Sequence, residues 1–355
     1  MENMVNENLL NFFKNKKVFI TGHTGFKGSW LSFILDLYGA KVKGFSKKPN
    51  TSPSLFNNLN YSDRFFSIIG DINDFNHLKK EIRDFEPDFI FHLAAQPIVI
   101  DSYEDPLDTY HTNFNGTLNL LESIRKINRE CNVVIITTDK VYKNNENKIP
   151  FQEDDMLGGK DPYSASKSAS EILISSYSES FFSNHMINIS TARAGNIIGG
   201  GDWSKYRLLP DIIRSCFENS ELIIRNPNSV RPWQHVLDPI LGYLDLARNL
   251  SIKPEIFNGA WNFGPDEKNP ISVNDIIEIV KTNGELFNIK IENDISDKES
   301  KYLQLDITKS KVILNWTPKW NAETAIEHSI KWYRGFYNNI SANDLITNDL
   351  KYYLK

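Results

Sequence analysis

The chain contains 355 residues, with 40 Lys and Arg against 45 Asp and Glu, which gives a formal net charge of −5. Neither sign forms a long run, and this argues against a nucleic-acid or anionic-membrane surface, because such surfaces need clustered Lys and Arg. Hydrophobic residues make up 40% of the chain and aromatic residues 12%, so the chain can build a sizeable core and disorder is excluded.

The cysteines and the apolar stretches indicate a compartment. Cys131 and Cys216 are the only cysteines, which leaves neither a disulfide framework nor a cysteine-ligated metal site. The most apolar stretch, 88–100, is interrupted by His92 and Pro97 and falls short of the roughly 18 apolar residues that a membrane span needs. The N-terminus is polar and shows no export signal pattern. We therefore expect a protein of the reducing cytoplasm.

The first half of the chain alternates between β-branched runs and helical spacing. Lys17–Thr21 is predicted to be a strand that stops at a glycine cluster, and a helix around Trp30 to Tyr38 leads to a second strand, Lys41–Phe45. The elements predicted after these are strand Phe65–Ile69, helix Phe75–Phe85, strand Asp88–Leu93, helix Pro106–Ile127, strand Asn132–Thr138, helix Tyr163–Phe182 and strand Ile187–Arg193. This alternation predicts an α/β fold with an open, doubly wound, Rossmann-like parallel sheet.

The alternation ends near residue 194, where a Gly-, Asn- and Pro-rich region begins. Helical patterns return at Pro239–Asn249, Val273–Thr282 and Ala322–Tyr337. We expect residues 1–193 to form one domain on the sheet and residues 194–355 a smaller, irregular domain, with some segments returning to the sheet. Ligands of such sheets bind at the carboxyl ends of the strands, so the cleft should lie between the two parts.

A glycine cluster follows the first strand and opens the first helix, as Gly22-His-Thr-Gly25-Phe-Lys-Gly28. In this position Gly22 permits a tight turn, Gly25 lets the backbone approach a pyrophosphate, and Gly28 lets the helix pack on the strand. The alternative is a tight turn that binds nothing. The position between strand and helix favours a dinucleotide.

The G-x-x-G-x-x-G spacing resembles the extended short-chain dehydrogenase/reductase family. Further motifs fit this resemblance: Asp71-Ile72 after the third strand, His92-Leu-Ala-Ala95 after the fourth, and Tyr163-x-x-x-Lys167. The resemblance implies that residues 1–193 bind NAD. The cofactor-binding residues that it implies are Gly22, Thr24, Gly25, Phe26, Lys27, Gly28, Asp71, Ile72, Leu93, Ala94, Ala95, Tyr163 and Lys167.

Tyr163 and Lys167 lie four residues apart at the start of a predicted helix, so both project from one face. A free tyrosine has a pKa near 10, and a neighbouring ammonium favours the phenolate, which makes Tyr163 a usable base near neutral pH. An exposed helix can also contain Tyr-x-x-x-Lys by chance. The preceding motifs favour the catalytic interpretation, and the resemblance implies that Lys167 also binds the nicotinamide ribose.

Thr137-Thr138-Asp139-Lys140 follows the fifth strand, where the strand runs into the cleft. The motif is similar to that of the nucleotide-sugar 4,6-dehydratases, Thr-Asp-Glu, with Lys140 in the third place, as in the branch that acts on CDP-linked glucose. The resemblance implies that Thr138 holds the sugar 4-oxygen and that Asp139 protonates the departing C6 hydroxyl. For Lys140 three roles are open: a neutral base for the C5 proton, a charge that stabilises the enolate, or an ion pair with Asp139.

Three further segments, 22–30, 194–203 and 231–236, resemble the same branch. They imply that CDP-D-glucose is the substrate and that residues 194–355 mainly bind this nucleotide sugar. Arginine is suited to bidentate contacts with a diphosphate. The substrate-binding residues predicted in this way are Gln96, Asn196, Arg207 and Arg231.

The choice of dinucleotide depends on the end of the second strand. A carboxylate there would select NAD by binding the ribose 2′-hydroxyl, whereas this chain has Ser46, Lys47 and Lys48. Those lysines can accommodate a 2′-phosphate, but the resemblance implies NAD. No metal is expected, because the histidines at positions 23, 92 and 235 lack ligand spacing.

Two other functions and a homodimer complete the expectations. The enzyme alternative is a 4,6-dehydratase or 4-epimerase of another nucleotide sugar, and Asp139 argues against the epimerase because that reaction needs no acid at C6. The alternative of another class is a dinucleotide-binding regulator without catalysis. The helices Pro106–Ile127 and Tyr163–Phe182 resemble the family's dimer bundle. Apolar Leu107 and Phe114 are at outward positions of the first helix, and the alternative is that they belong to the core.

Overall fold

A parallel sheet forms the centre of the protein. The computed structural model describes residues 8–144, 149–183, 186–218, 221–224, 227–266, 271–283, 289–291 and 303–355, and within these ranges the sheet has seven strands. The strands are β1 (Lys17–Thr21), β2 (Lys41–Ser46), β3 (Phe65–Ile69), β4 (Phe89–His92), β5 (Cys131–Ile136), β6 (Ile187–Ala194) and β7 (Gly259–Phe263). Their order is β7-β6-β5-β4-β1-β2-β3, and every neighbouring pair is parallel. The predicted doubly wound sheet is confirmed.

Helices cover both faces of this sheet. The helices are α1 (Phe26–Leu37), α2 (Phe75–Phe85), α3 (Val99–Glu104), α4 (Pro106–Tyr110), α5 (Gly116–Ile124), α6 (Pro162–Tyr177), α7 (Leu208–Glu218), α8 (Leu237–Ile252), α9 (Pro254–Phe257), α10 (Val273–Thr282), α11 (Thr308–Val312), α12 (Ala322–Tyr337) and α13 (Ala342–Leu354). Alternate strand residues point to opposite faces: Val18 and Ile20 pack in one apolar core with α1 and α8, whereas Phe19 packs in a second core with α2, α5 and α6.

The predicted helix 106–127 is interrupted. It consists of α4, a π-helical turn at His111–Asn115, and α5, which ends at Ile124. Gly116 starts α5 against the end of β3: a Cβ at this position would lie 2.7 Å from Cγ2 of Ile72. The close approach places the first turn of α5 beside the Asp71-Ile72 motif.

The C-terminal part contributes β7 to the sheet, beside β6. Two small parallel pairs lie outside the sheet, residues 197–198 with 234–235 and residues 222–224 with 289–291. Helices α10 and α12 have the predicted bounds, and α8 begins two residues before Pro239. Proline is tolerated there because the first amides of a helix have no acceptor within the helix.

Two observations bear on the compartment. No helix within the described residues is long and apolar enough to span a membrane. Cys131 and Cys216 form no disulfide, and Cys131 is buried in the core.

Candidate active site

The glycine turn between β1 and α1 lies directly against the end of β4. Gly22 has a positive φ of +76°, and a Cβ on it would lie 2.6 Å from the Ala94 backbone nitrogen. A Cβ on Gly28 would lie 2.1 Å from the Gly22 carbonyl oxygen. At Gly25, by contrast, an added Cβ would meet only that carbonyl, at 3.4 Å. The first and third glycines therefore serve packing, while Gly25 leaves room beside the helix N-terminus for a pyrophosphate.

The end of β2 closes one side of this turn. The Thr24 hydroxyl lies 2.8 Å from the Ser46 hydroxyl and donates to the Lys47 carbonyl, also at 2.8 Å. The Lys47 ammonium lies 3.2 Å from the Asp71 carboxylate. Burial raises the pKa of Asp71, but hydrogen bonds from Asn73 and Lys47 outweigh it and hold that pKa below its usual value. A charged pair thus lies at the end of the turn where a dinucleotide's adenosine would bind.

The segment after β4 is held by internal hydrogen bonds. The His92 ring lies 2.7 Å from the Thr21 hydroxyl and 3.2 Å from the Thr117 hydroxyl, and burial lowers its pKa to about 3. His92 is therefore neutral at physiological pH. The Gln96 amide donates to Thr109 and accepts from the Ile98 backbone, so both ends of this predicted substrate-binding side chain have protein partners.

A buried carboxylic acid lies at the end of β5. The Thr138 hydroxyl donates to Oδ1 of Asp139 at 3.0 Å. Oδ2 of Asp139 is buried and has no hydrogen-bond partner within the described part of the chain. Burial raises the pKa of Asp139, against the opposing effects of Lys140, Thr138 and Arg231. A carboxyl in this environment holds a proton more readily than an exposed aspartate, as a general acid requires.

The predicted Tyr-Lys pair lies at the start of α6. The Asp161 carboxylate caps this helix by accepting from the Ser164 backbone at 2.9 Å. Burial raises the pKa of Tyr163 to about 12, although a hydrogen bond with Thr138 and the charge of Arg207 lower it. Burial lowers the pKa of Lys167 to about 8, and its ammonium donates to the Ile136 carbonyl at 3.3 Å. The tyrosine is therefore protonated at neutral pH. The expectation that Lys167 makes it a usable base near neutral pH is wrong for this structure, because burial outweighs the charges that lower its pKa.

Cations from three other parts of the chain approach these groups. Burial and the charges of Arg207 and Lys167 lower the pKa of Lys27 to about 7, while Asp139 raises it. Arg207 also lies 3.2 Å from the Asp202 carboxylate. The charge of Arg231 acts on Asp139, and its guanidinium donates to the Val230 carbonyl. The site therefore combines one acid, one phenol and a positively charged surround, which suits a diphosphate substrate.

Asn196, the remaining predicted substrate residue, has a positive φ of 34° just beyond β6, and its carbonyl accepts from the Gln234 backbone at 3.3 Å. Sequence reasoning missed its neighbour Gly195. A Cβ on Gly195 would lie 1.8 Å from Oδ2 of Asp139, so only glycine leaves space for the acid. The Ala194-Gly195 step at a strand end was the available signal. No group of three or more potential metal ligands occurs within the described residues.

The sheet and its glycine turn are of the type that binds a nicotinamide dinucleotide. The helix that carries Tyr163 and Lys167 and the buried carboxyl of Asp139 lie at the same site. The profile of the family described as GDP-mannose 4,6 dehydratase matches residues 19–329. The chain therefore belongs to this family, and the resemblance inferred from its motifs is confirmed.

Individual relatives agree with this assignment. The CDP-glucose 4,6-dehydratase of Salmonella typhimurium strain LT2 is 43% identical over 332 residues, which cover 92% of each chain. The dTDP-glucose 4,6-dehydratase of Bacillus anthracis, solved in complex with NAD, superposes with a TM-score of 0.74 at 22% identity, covering 91% of this chain and 98% of that one. An epimerase of Methanothermobacter thermautotrophicus superposes with a TM-score of 0.79 at 23% identity, covering 97% and 98%. The two structures share the fold.

Proposed function

We propose that the protein removes water from CDP-D-glucose to give CDP-4-dehydro-6-deoxy-D-glucose, with NAD as its resident cofactor. The observation that carries the reaction type is the buried Asp139, whose raised pKa and unpartnered Oδ2 provide an acid beside Thr138 and Tyr163. The 43% identity to a CDP-glucose 4,6-dehydratase over 92% of the chain supports the substrate.

The residues around the glycine turn fit NAD. Gly25 leaves room for a pyrophosphate at the start of α1, and Asp71 and Ala94 line the ends of the adjoining strands. When bound there, NAD would supply a hydride acceptor for C4 of the sugar and a hydride donor for C6, so that the reaction would involve no net oxidation. Lys167 would bind the nicotinamide ribose, and its charge would favour removal of the Tyr163 proton.

The chain's own residues then move the protons. Thr138 would hold the sugar 4-oxygen. Tyr163, which is protonated at neutral pH in this structure, would first have to lose its proton, and the phenolate would then take the proton of the 4-hydroxyl. The resulting 4-ketone acidifies the C5–H bond, so a base can remove that proton. Asp139 would give its proton to the C6 hydroxyl, which leaves as water. The 4-hydroxyl proton thus has Tyr163 as its acceptor and the departing oxygen has Asp139 as its donor, and Lys140 is the candidate acceptor of the C5 proton.

Lys140 is the residue with more than one possible chemical role. As a neutral amine it would remove the C5 proton, and as an ammonium it would stabilise the enolate at the 4-oxygen. Its charge lowers the pKa of Asp139, which fits the ammonium and also fits a merely structural ion pair. The base role and the charged role predict different activities for Lys140→Arg, because arginine keeps the charge but cannot act as a neutral base.

The positive surround would hold the substrate's diphosphate. Arg207 and Arg231 reach the catalytic groups from the C-terminal part of the chain, since their charges act on Tyr163 and Asp139. Asn196 lies at the end of β6, beside Gly195. Residues 194–355 would thus mainly bind the nucleotide sugar, and residues 1–193 the cofactor.

The proposed reaction is tested by incubating the protein and NAD with CDP-, dTDP-, UDP- and GDP-hexoses and measuring the mass of each product. CDP-glucose should lose one water, and a deuterium placed at C4 should appear at C6. Loss of the label to the cofactor pool would indicate a plain dehydrogenase. Exchange of C4 stereochemistry without water loss would indicate a 4-epimerase, and no turnover of any sugar would leave a non-catalytic regulator.

We also propose a cytoplasmic homodimer. Its interface would be built on α4, α5 and α6, where Leu107 is 67% exposed and Ile172 is 60% exposed. Cys131 and Cys216 form no disulfide, which fits a reducing compartment. Light scattering at micromolar concentration should give twice the chain mass, and a monomer mass would refute the dimer.

A further inference from the structure

A second buried carboxylate lies on the catalytic helix α6 itself, where it contacts β5 and β6. Glu171 follows Lys167 by one helical turn on α6, so the two side chains share a helix face. Its Oε1 accepts from the Thr137 hydroxyl at 2.5 Å. Its Oε2 accepts from the Thr191 hydroxyl at 2.9 Å and from Nη2 of Arg193 at 2.8 Å. Both oxygens therefore have donors, in contrast to Asp139, whose Oδ2 has none within the described residues.

Arg193 extends this contact into the C-terminal part of the chain. Its Nη1 donates to the Tyr142 hydroxyl and to the Glu153 carbonyl, both at 2.8 Å. The Tyr142 hydroxyl donates in turn to Asn262 on β7, at 2.7 Å. The Glu171 and Arg193 side chains are only 3% and 4% exposed. This ion pair is therefore shielded from solvent and tied to the two strands β6 and β7 and to the segment after β5.

The pair touches two neighbours of the active site. Thr137 directly precedes Thr138 and Asp139, so its hydrogen bond to Glu171 fixes the point where β5 enters the cleft. Lys167 has its pKa lowered by burial and raised by the charge of Glu171. Lys27 of α1 and His92 of β4 also interact electrostatically with Lys167, and Tyr163 lies one turn before it on α6. Among these neighbours Glu171 is the carboxylate.

We propose that Glu171, held by Arg193, is a positioning residue that fixes Thr137 and sustains the positive charge of Lys167. A buried ion pair contributes little to stability by itself, because desolvation offsets the attraction. Here the ion pair orients Thr137, which lies close to Asp139 in the chain. Its carboxylate also favours the ammonium form of Lys167 beside Tyr163. The inference rests on the proposed function for its catalytic consequence.

The variant Glu171→Gln separates charge from hydrogen bonding. The glutamine oxygen can still accept from Thr191 and Arg193, and its amide can donate to the Thr137 hydroxyl, which then accepts. Burial then acts on Lys167 without the opposing carboxylate. Since an adjacent opposite charge shifts a pKa by about one unit or more, Lys167 should lose its proton at a pH about one unit lower.

The charge of Lys167 is measured by its rate of acetylation with acetic anhydride as a function of pH, read by peptide mass spectrometry. Only the neutral amine reacts, so the midpoint reports deprotonation. Glu81→Gln is the matched control, because Glu81 forms a largely buried pair at 2.9 Å with Lys43 of β2, near the edge of the sheet opposite to β6. It should leave the Lys167 midpoint unchanged. Lys27, labelled in the same samples, should shift less than Lys167.

A double variant keeps the test valid if Glu171→Gln alone fails to fold. Glu171→Gln with Arg193→Met leaves no unpaired buried charge, and its midpoint should lie below that of the wild type, by less than in Glu171→Gln because the guanidinium charge is also removed. The alkaline limb of the kcat/KM profile should move to lower pH in parallel, because the charged lysine is the active form. A Lys167 midpoint that stays in place in either variant, with only the melting temperature lowered, would overturn the proposal and leave a structural ion pair.

The labelling needs no substrate, so the two proposals fail separately. If the wild-type protein turns over none of the sugar nucleotides but its Lys167 midpoint responds to Glu171→Gln, the proposed function is wrong and the coupling stands. Glu171→Asp, which keeps the charge, should return the midpoint towards the wild-type value.

Discussion

Two carboxylates at the active site are almost equally buried and yet have opposite environments. Asp139, on the cleft side of β5, has one oxygen without a partner, and burial raises its pKa. Glu171, on α6, has hydrogen-bond donors on both oxygens, including the guanidinium of Arg193. Burial alone therefore does not determine the state of a carboxyl group. What differs is the supply of hydrogen-bond donors, which leaves one oxygen of Asp139 without a partner within the described residues and reaches both oxygens of Glu171.

The largest effect on the rate of water loss is expected from Asp139→Asn, because this variant removes the carboxylic acid that would protonate the leaving hydroxyl. The amide cannot act as an acid, so water loss should fall by about 10²–10⁴-fold. Oxidation at C4 does not need this acid, so the C5 hydrogen should still exchange in heavy water. Product analysis by mass and by NMR measures both steps.

Asp74→Asn is a suitable control for this variant. Asp74 caps α2 at the surface by accepting from the His77 backbone, and asparagine caps a helix about as well. Its activity should match the wild type. Water loss by Asp139→Asn at the wild-type rate would remove the distinction between the two carboxylates.

Lys140→Met tests the cation next to Asp139. Loss of a general base costs about 10²–10⁴-fold in rate, and loss of an enolate-stabilising charge about 10²–10³-fold. In both cases C4 oxidation should continue, so a 4-keto sugar can be trapped by reduction with borodeuteride.

Lys140→Arg separates the two roles, because arginine keeps its charge and cannot act as a neutral base. Activity in Lys140→Arg together with a loss in Lys140→Met would assign the charged role. If Lys140→Met dehydrates at the wild-type rate, Lys140 has no chemical role.

Gly195→Ala should disturb Asp139 without changing its chemistry. The new Cβ would lie 1.8 Å from Oδ2 of Asp139, so the carboxyl must move by about 1 Å, and a displacement of this size costs about 10²-fold in rate. Gly264→Ala is the matched control, because there the nearest atom to a new Cβ lies at 3.5 Å. Equal kcat values for the two variants would show that the position of Asp139 is not critical.

The sequence predicts the parts of the site that local patterns determine. The glycine turn, Asp139, and the Tyr163-Lys167 pair each lie next to a strand or helix that has its own periodicity, and the structure contains those elements. Strand β7 was not assigned, because five residues with Gly and Asn show no pattern and their pairing with β6 is non-local.

The polar contacts behind α6 could not be predicted in the same way. The contact between Glu171 and Arg193 joins residues 22 apart in the chain and depends on the depth at which α6 packs on the sheet. The close approach of Gly195 to Asp139 depends in the same way on the register between β5 and β6. Sequence alone identifies the acid but not the surroundings that raise its pKa.

Asp238 shows that a raised pKa does not by itself make a catalytic group, and it carries the smallest expected effect on activity. This carboxylate at the start of α8 accepts from the Tyr353 hydroxyl and the Lys319 backbone, and its Oδ2 has no partner within the described residues. Burial raises its pKa to about 7. Asp238 differs from Asp139 in its contacts, because Asp238 contacts Lys319 and the C-terminal helix and not the catalytic groups.

The pH dependence of stability measures this difference. Between about pH 4, where the unfolded aspartate ionises, and pH 7, the folded state binds more protons than the unfolded state. Stability conferred by the protonated Asp238 is therefore present at low pH and is lost as the pH rises to 7, by up to about 4 kcal/mol. Asp238→Asn does not ionise, so its melting temperature relative to the wild type should rise steadily from pH 4 to pH 7, with kcat unchanged. A constant difference in melting temperature would show that Asp238 is ionised throughout in the folded protein, and its burial would then resemble that of Glu171 rather than that of Asp139.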